Sequence, residues 1–299
     1  MRPDPRLLVV CAAVLWGTTG TARALGPDDA SPAAVGAARL IVGGACLVLL
    51  VARPGGSPAV PAGARGRRDL AVIASAAAAM AAYQPLFFGG VARTGVAVGT
   101  VVGIGSAPVF AGILGMAVRG ERPGPRWLVA TALALAGTAL LVGAGDRDDV
   151  DVTGIALALG AGLAYAGYVL ATKLVLDRGW APDAVTARVF GLAGLALVPV
   201  ALIVGVGPLA SPGGLVMVAH LGLATVALAY VLFGRGLAGV GVAAAGTLTL
   251  AEPATAAVLG VVVVGERFGA VTLAGVALIA AGLVALVEGG ADRAAQSVP

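Results

Sequence analysis

The chain has 299 residues, of which 59% are hydrophobic and only 11% charged, and its mean hydropathy is +1.01. Soluble domains carry about 25% charged residues, so this chain has too few to cover a globular surface. The net charge of +4 comes from arginines scattered over short loops, without the basic stripe that a nucleic-acid-binding protein needs. Apolar runs of about 20 residues recur along the chain and predict an all-α integral membrane protein.

Ten apolar segments are predicted as transmembrane helices. In chain order they are 7–24, 33–52, 70–91, 96–118, 127–143, 154–176, 184–205, 214–234, 240–264 and 270–288. The segments between them are rich in glycine, proline and charge, as expected of turns. Because alanine and glycine dominate the helices, we expect close packing through small residues.

The positive charges predict the orientation. Fourteen of the 19 Lys and Arg residues fall on the side that holds both termini, and four fall on the other side. Basic residues concentrate in cytoplasmic loops. We therefore expect a multi-pass protein of the cell membrane with both termini in the cytoplasm.

The two halves of the sequence resemble each other. Residues 89–97 align with 235–243, Pro108 aligns with Pro253, and "GER" at 120–122 aligns with "GER" at 265–267. Residues 1–145 and 146–290 are thus predicted as two repeats of five helices each, followed by a cytoplasmic tail, 291–299. An odd number of helices inverts the second repeat in the membrane. Inverted repeats around a central cavity are typical of secondary transporters.

Several motifs, in this order, resemble the ten-helix EamA branch of the drug/metabolite transporter superfamily. They are "WGTTG" (16–20), Arg39, "SAPVFAGILGMAVRGER" (106–122), "GLAYAGYVLATK" (162–173) and "LAEPATAAVLGVVVVGER" (250–267). The resemblance implies a five-plus-five inverted fold, a central cavity and export of small metabolites such as amino acids. The aromatic content of 4% departs from this pattern and weakens the case for an aromatic amino acid or a drug-like cation as cargo.

Glu252 is the sharpest candidate for function, because an ionisable group in the middle of a span usually faces an internal cavity. Burial disfavours the charged form of a carboxyl, so Glu252 could bind a proton or a cation. The alternative is a permanently paired glutamate that only orients its neighbours. Pro253 lacks the N–H that would bond to the carbonyl of residue 249, and a helix break is expected at Pro253 and at its counterpart Pro108.

Other polar residues within the spans are further candidates for the substrate or ion pathway. Arg39 could pair with a substrate carboxylate or with Glu252, or it could bond to helix carbonyls. Trp16 and Thr19 could line a polar path or serve only packing. The remaining candidates, for each of which core packing is the alternative, are Tyr83, Gln84, Tyr165, Tyr168, Tyr230 and the lone histidine, His220.

The "GER" segments are interpreted as architecture: Glu121 and Glu266 can cap helix ends. No cofactor or metal is expected, since the sequence has no cluster of ligands with metal spacing. An enzyme is disfavoured because the chain carries no HExxH motif or His–Asp pair.

The sequence thus favours a secondary transporter with alternating access that exports a small metabolite. An uncoupled facilitator or channel-like translocator is the alternative. Expected partners are a small-molecule substrate and the lipid bilayer, with protons as a further candidate and no nucleic acid. Monomer and homodimer both stay open.

Overall fold

The computed structural model describes residues 3–53, 66–142, 151–263, 265 and 269–296. Every regular element within these ranges is helical, in agreement with the predicted all-α class. We call the described residues up to Val142 the first half and those from Asp151 onward the second half.

The first half contains four helices: α1 (Pro5–Ala24), α2 (Pro32–Ala52), α3 (Arg67–Arg119) and α4 (Pro125–Val142). The second half contains α5 (Val152–Leu176), α6 (Pro182–Val204), α7 (Pro212–His220), α8 (Ala229–Leu237), α9 (Val242–Leu248), α10 (Ala251–Val262) and α11 (Ala270–Gln296). A π-helical stretch, Leu221–Leu228, connects α7 directly to α8, and a 3₁₀ turn, Gly207–Ala210, precedes α7. Because α11 reaches Gln296, most of the predicted tail at 291–299 continues the last helix.

Helix starts follow from local sequence. Side-chain oxygens just before a helix accept hydrogen bonds from its first free amides, and proline occupies the first position of several helices, where no amide bond is lost. The capping side chains are Asp4, Ser31, Asp151 and Ser211, with N···O distances from 2.8 to 3.2 Å.

Eight helical segments within the described ranges are long and apolar enough to cross a membrane. Two further apolar helices are shorter, at Pro125–Leu140 and Leu273–Leu286. Each of the ten predicted segments therefore corresponds to a helical region, while the count of ten complete spans stays a prediction.

The third and fourth predicted spans are not separated by a loop. The backbone of α3 is helical from Arg67 to Arg119, including the residues 92–95 where a break was expected. A straight helix would place residues 91 and 99 about 12 Å apart. A Cβ atom at Gly99 would nevertheless lie 2.7 Å from the Cα atom of Val91. The chain thus reverses direction inside α3 by a tight helical bend rather than through a loop.

Helices of the two halves pack against each other in pairs. The largest contacts join α3 with α5, α2 with α6, and α4 with α11. Small residues allow these close approaches. A Cβ at Gly44 of α2 would overlap the carbonyl group of Phe190 in α6, and a Cβ at Gly137 of α4 would lie 2.5 Å from the carbonyl oxygen of Gly275 in α11.

The three tryptophans of the chain also connect the halves, because each indole N–H donates a hydrogen bond to the opposite half. Trp16 donates to the Thr225 carbonyl (2.9 Å), and Trp127 donates to the Ala243 carbonyl (3.0 Å). Trp180 donates to a carboxylate oxygen of Asp69 (3.1 Å). Packing and hydrogen bonds together therefore hold the two halves as one bundle.

We expect Gly44→Ala to lower the free energy of unfolding by about 1–3 kcal/mol, because the added methyl group cannot fit beside Phe190 without moving α6. Gly167→Ala in α5 is the matched control, since nothing lies within 4 Å of its Cβ position. This control should be neutral or stabilising by up to about 1 kcal/mol. Denaturant unfolding in detergent measures both, and equal losses would contradict the close α2–α6 contact.

Candidate functional site

The ninth predicted span is interrupted next to Glu252. Helix α9 ends at Leu248 and α10 begins at Ala251. In the turn between them, the Leu250 amide donates to the Thr247 carbonyl (3.1 Å) and the Glu252 amide donates to the Thr249 carbonyl (3.0 Å). These bonds span three residues instead of four, which tightens the backbone. Pro253 follows in the first turn of α10, where its missing N–H removes no helical bond.

Pro108 does not break its helix, contrary to expectation, since α3 continues through it. It forms a contact surface instead. A Cβ at Gly246 of α9 would lie 3.1 Å from the Cα atom of Pro108 and 2.9 Å from the Cβ atom of Ala111. The proline of the first half therefore packs against the helix that leads into the break of the second half.

Glu252 and Arg39 are neighbouring ionisable residues that form no salt bridge. Arg39 in α2 is close enough for its charge to act on Glu252, yet the two side chains form no salt bridge within 4.0 Å. The Nε atom of Arg39 is buried and has no hydrogen-bond partner among the described residues. Helix α1 packs on the Glu252 backbone, where a Cβ at Gly17 would lie 2.8 Å from the Glu252 carbonyl oxygen.

The structure brings the predicted aromatic residues together. All four tyrosines of the chain form, with one tryptophan and four phenylalanines, an aromatic cluster that consists of Trp16, Tyr83, Phe87, Phe88, Tyr165, Tyr168, Phe190, Tyr230 and Phe233. Its ring centroids are 4.0 Å apart for Phe190 and Tyr230, and 4.8 Å apart for Trp16 and Tyr230.

This cluster lies beside the two charges. The charges of Glu252 and Arg39 both act on Tyr83 and Tyr230, and the charge of Glu252 also acts on Tyr165. The arrangement therefore combines a carboxylate, a guanidinium and aromatic rings inside an apolar bundle.

Several polar atoms around this cluster have no partner in the described part of the chain. They are the Thr19 hydroxyl, both amide atoms of Gln84 and the Tyr165 hydroxyl. A buried polar atom without a hydrogen bond costs about 1–3 kcal/mol. Gln84 packs against α2, since a Cβ at Gly36 would lie 3.0 Å from its Oε1 atom. These atoms can accept or donate to a polar solute.

The π-helical stretch Leu221–Leu228 also belongs to this region. Its Thr225 carbonyl accepts the indole N–H of Trp16, and the Thr225 hydroxyl donates to the Leu221 carbonyl (2.6 Å). π-Helical turns occur frequently at functional sites. Sequence reasoning missed this element, because the apolar run at 214–234 carries no mark that distinguishes π from α hydrogen bonding.

His220 lies apart from the aromatic cluster. It is exposed at the end of α7, where its Nε2 atom is 2.8 Å from the Thr18 hydroxyl of α1. Both residues line a mainly apolar groove of about 630 Å³ between α1, α7 and α10. The structure thus places His220 in a groove on the surface of the helix bundle.

Glu121 caps a helix, but the helix belongs to the opposite half. Its carboxylate accepts from the amides of Val242 (3.0 Å) and Ala243 (3.3 Å) in the first turn of α9, and from Nε of Arg119 (2.9 Å). The sequence analysis expected Glu121 to cap a helix at its own helix junction. The structure corrects this expectation, because the capped helix is α9. Glu266 of the second "GER" lies outside the described residues.

A buried lysine extends this network of charges, and sequence reasoning gave it no role. Lys173 donates to the carbonyls of Leu237 and Ala238 (both 3.0 Å) and pairs with Asp177 (3.1 Å). Asp177 also pairs with Arg119. Burial alone would raise the pKa of Asp177, but hydrogen bonds from Arg119 and Lys173, together with their charges, outweigh it and hold the pKa below its ordinary value.

We expect Asp177→Asn to lower thermal stability at neutral pH. A carboxyl whose folded-state pKa is depressed stabilises the fold above its unfolded-state pKa, and this contribution is lost as the pH falls through the folded-state value. The difference in melting temperature between wild type and variant should therefore be constant above about pH 5 and shrink below about pH 4. Asp29→Asn in an exposed loop is the control. A difference that does not change with pH would contradict the ion-pair assignment.

Comparison with known proteins agrees with this architecture. The model of the EamA-like transporter family matches residues 6–143 and again residues 152–287. A Bacillus subtilis (strain 168) protein named "Uncharacterized transporter YwfM" is 42% identical over 287 residues, which cover 94% of this chain and 92% of that protein. A protein of known crystal structure superposes with a TM-score of 0.79 at 18% identity, over 95% of this chain and 96% of its own, and so shares the fold. The resemblance stated from the motifs is confirmed: the chain is a multi-pass membrane transporter and belongs to the EamA-like transporter family.

Proposed function

We propose that the protein is a secondary transporter that exports a small metabolite, such as an amino acid or a related amphipathic solute, by alternating access. The observation that carries this proposal is the position of Glu252 and Arg39: the two side chains lie beside the aromatic cluster and form no salt bridge with each other. The interrupted backbone between α9 and α10 supports it, because transporter sites are commonly built at discontinuous helices.

A zwitterionic solute fits the charges of this site. Its ammonium group would interact with the Glu252 carboxylate and its carboxylate with the Arg39 guanidinium, whose buried Nε has a free hydrogen-bonding position among the described residues. Arginine recognises carboxylates well, because its planar fork matches their geometry.

The aromatic cluster would receive the apolar part of the solute. The low aromatic content of the sequence argued against aromatic cargo. Nine of the 13 aromatic side chains, however, lie in the aromatic cluster. An aromatic or branched amino acid therefore belongs among the first candidates.

Proton coupling through Glu252 is part of the proposal. A carboxyl within a span that binds a proton in one step and the solute in another links the two fluxes. The unequal residues at the repeat positions support this, since Ala107 stands where the second half has Glu252.

We further propose two inverted repeats, 1–145 and 146–290, with both termini in the cytoplasm. Support comes from the two successive matches of the family model and from the fourteen basic residues on the side of the termini. Inverted repeats allow one half to exchange conformation with the other, which opens the site to alternate sides of the membrane.

The experiment begins with a thermal-shift screen of amino acids on the purified protein, because a ligand that binds the folded state raises its melting temperature. The best stabiliser is then used in proteoliposomes. Counterflow with saturation is expected of a carrier, whereas linear flux without saturation would indicate the channel-like alternative.

Glu252→Gln tests the coupling in the same vesicles. We expect transport by the wild type to vary over a pH series and transport by the variant to be slower and independent of pH. Asp29→Asn is the control, since it removes an exposed carboxylate outside the spans. A variant with unchanged rate and unchanged pH dependence would refute proton coupling through Glu252.

A further inference from the structure

A second cavity lies at the end of the bundle where α1 begins and where α3 and α5 end. Its volume is about 490 Å³, within the range of small-molecule sites. It is separate from the aromatic cluster. The charged residues that line it are five basic side chains and one acidic one, namely Arg6, Arg119, Arg122, Arg126, Lys173 and Glu121.

Among the described residues, the lining residue Glu121 and the neighbouring Asp177 are already engaged within the protein. Glu121 accepts hydrogen bonds from Arg119 and from two amides of α9. Asp177 pairs with Arg119 and Lys173. Arg122 is exposed and forms no ion pair with any residue of the described ranges. The cavity therefore presents at least the positive charge of Arg122, with which no carboxylate of the described residues pairs.

The walls of the cavity are held in place. Lys173 is only 6% exposed and is fixed by the carbonyls of Leu237 and Ala238. The indole of Trp127, another lining residue, is fixed by the carbonyl of Ala243 in α9. Since these hydrogen bonds already orient the lining side chains, binding of a ligand would cost little conformational entropy.

We propose that this cavity binds a phosphate-bearing anion. Arginine forks bind phosphate oxygens in pairs, and a fixed cationic pocket concentrates anions. The cavity is larger than a bare phosphate requires, and Ala285 and Leu286 give it an apolar side next to the basic residues. A soluble phosphate ester or the headgroup of an anionic lipid would each match this chemistry.

Such a ligand would also contact both halves. Arg119 and Arg122 belong to the first half, whereas Lys173 and the connection from α8 to α9 belong to the second. Occupancy is therefore expected to stabilise the present arrangement of the halves. The proposal is independent of the transported solute and of the orientation in the membrane.

The test uses the full chain and two probes. Inorganic phosphate is titrated against protein in neutral detergent at constant ionic strength, with chloride as the reference, and the melting temperature is followed. In parallel, the protein is reconstituted in phosphatidylcholine alone and in an equal mixture of phosphatidylcholine and phosphatidylglycerol. Each arm compares wild type with Arg122→Gln, Arg122→Glu and Arg122→Lys, and with Arg67→Gln as an exposed arginine of α3 outside the cavity.

We expect an increase in melting temperature that saturates in at least one arm. Arg122→Gln should weaken the apparent affinity at least about tenfold, Arg122→Glu should abolish the increase, and Arg122→Lys and Arg67→Gln should retain most of it. An increase with phosphate identifies a soluble source, and an increase only with phosphatidylglycerol identifies a lipid source. The proposal is overturned if neither probe stabilises the wild type, or if Arg122→Glu responds as the wild type does.

Discussion

Inside a membrane, every backbone amide and carbonyl must find a partner within the protein, and this requirement governs the break between α9 and α10. The turn meets it with short-range bonds, among them the Thr249 hydroxyl that donates to the Gly246 carbonyl (2.7 Å). It is also shielded, since Leu248 and Leu250 are fully buried. Helix α1 covers the Glu252 end, and the Thr131 hydroxyl of α4 bonds to that of Thr247 (2.8 Å) on the other end. The helices that pack around this turn therefore make it possible for the carboxylate of Glu252 to lie next to an interrupted backbone inside the bundle.

The two charged regions of the molecule differ in how their charges are compensated. Where α3 and α5 end, carboxylates and guanidinium groups bond directly, and Glu121 replaces the capping residue that α9 lacks in its own sequence. Beside the aromatic cluster, Arg39 and Glu252 stay apart, and several polar atoms have no partner in the described ranges. The paired charges stabilise the contacts between helices, whereas the separated charges are the ones that the proposed function assigns to the solute.

Hydropathy and turn residues were sufficient to place the helices, because a span in lipid must be long, apolar and bounded by polar segments. They failed at α3, where the run "RTG" at 93–95 predicts a loop although the backbone reverses direction through residues of helical conformation. Glu252 became the first candidate because an ionisable residue within an apolar span is rare. The neighbours of Glu121 and the convergence of Tyr83 with Tyr230 could not be predicted, since they depend on which helices adjoin and not on local pattern.

The placement of the tryptophans has an optical consequence. Indole emission depends on the polarity and hydrogen bonding around the ring, and each of the three indoles bonds to a group in the opposite half. Any displacement of one half against the other must alter at least one of these bonds. Intrinsic fluorescence of the unlabelled protein would therefore respond to such a displacement, and single Trp→Phe variants would show which of the three contacts changes.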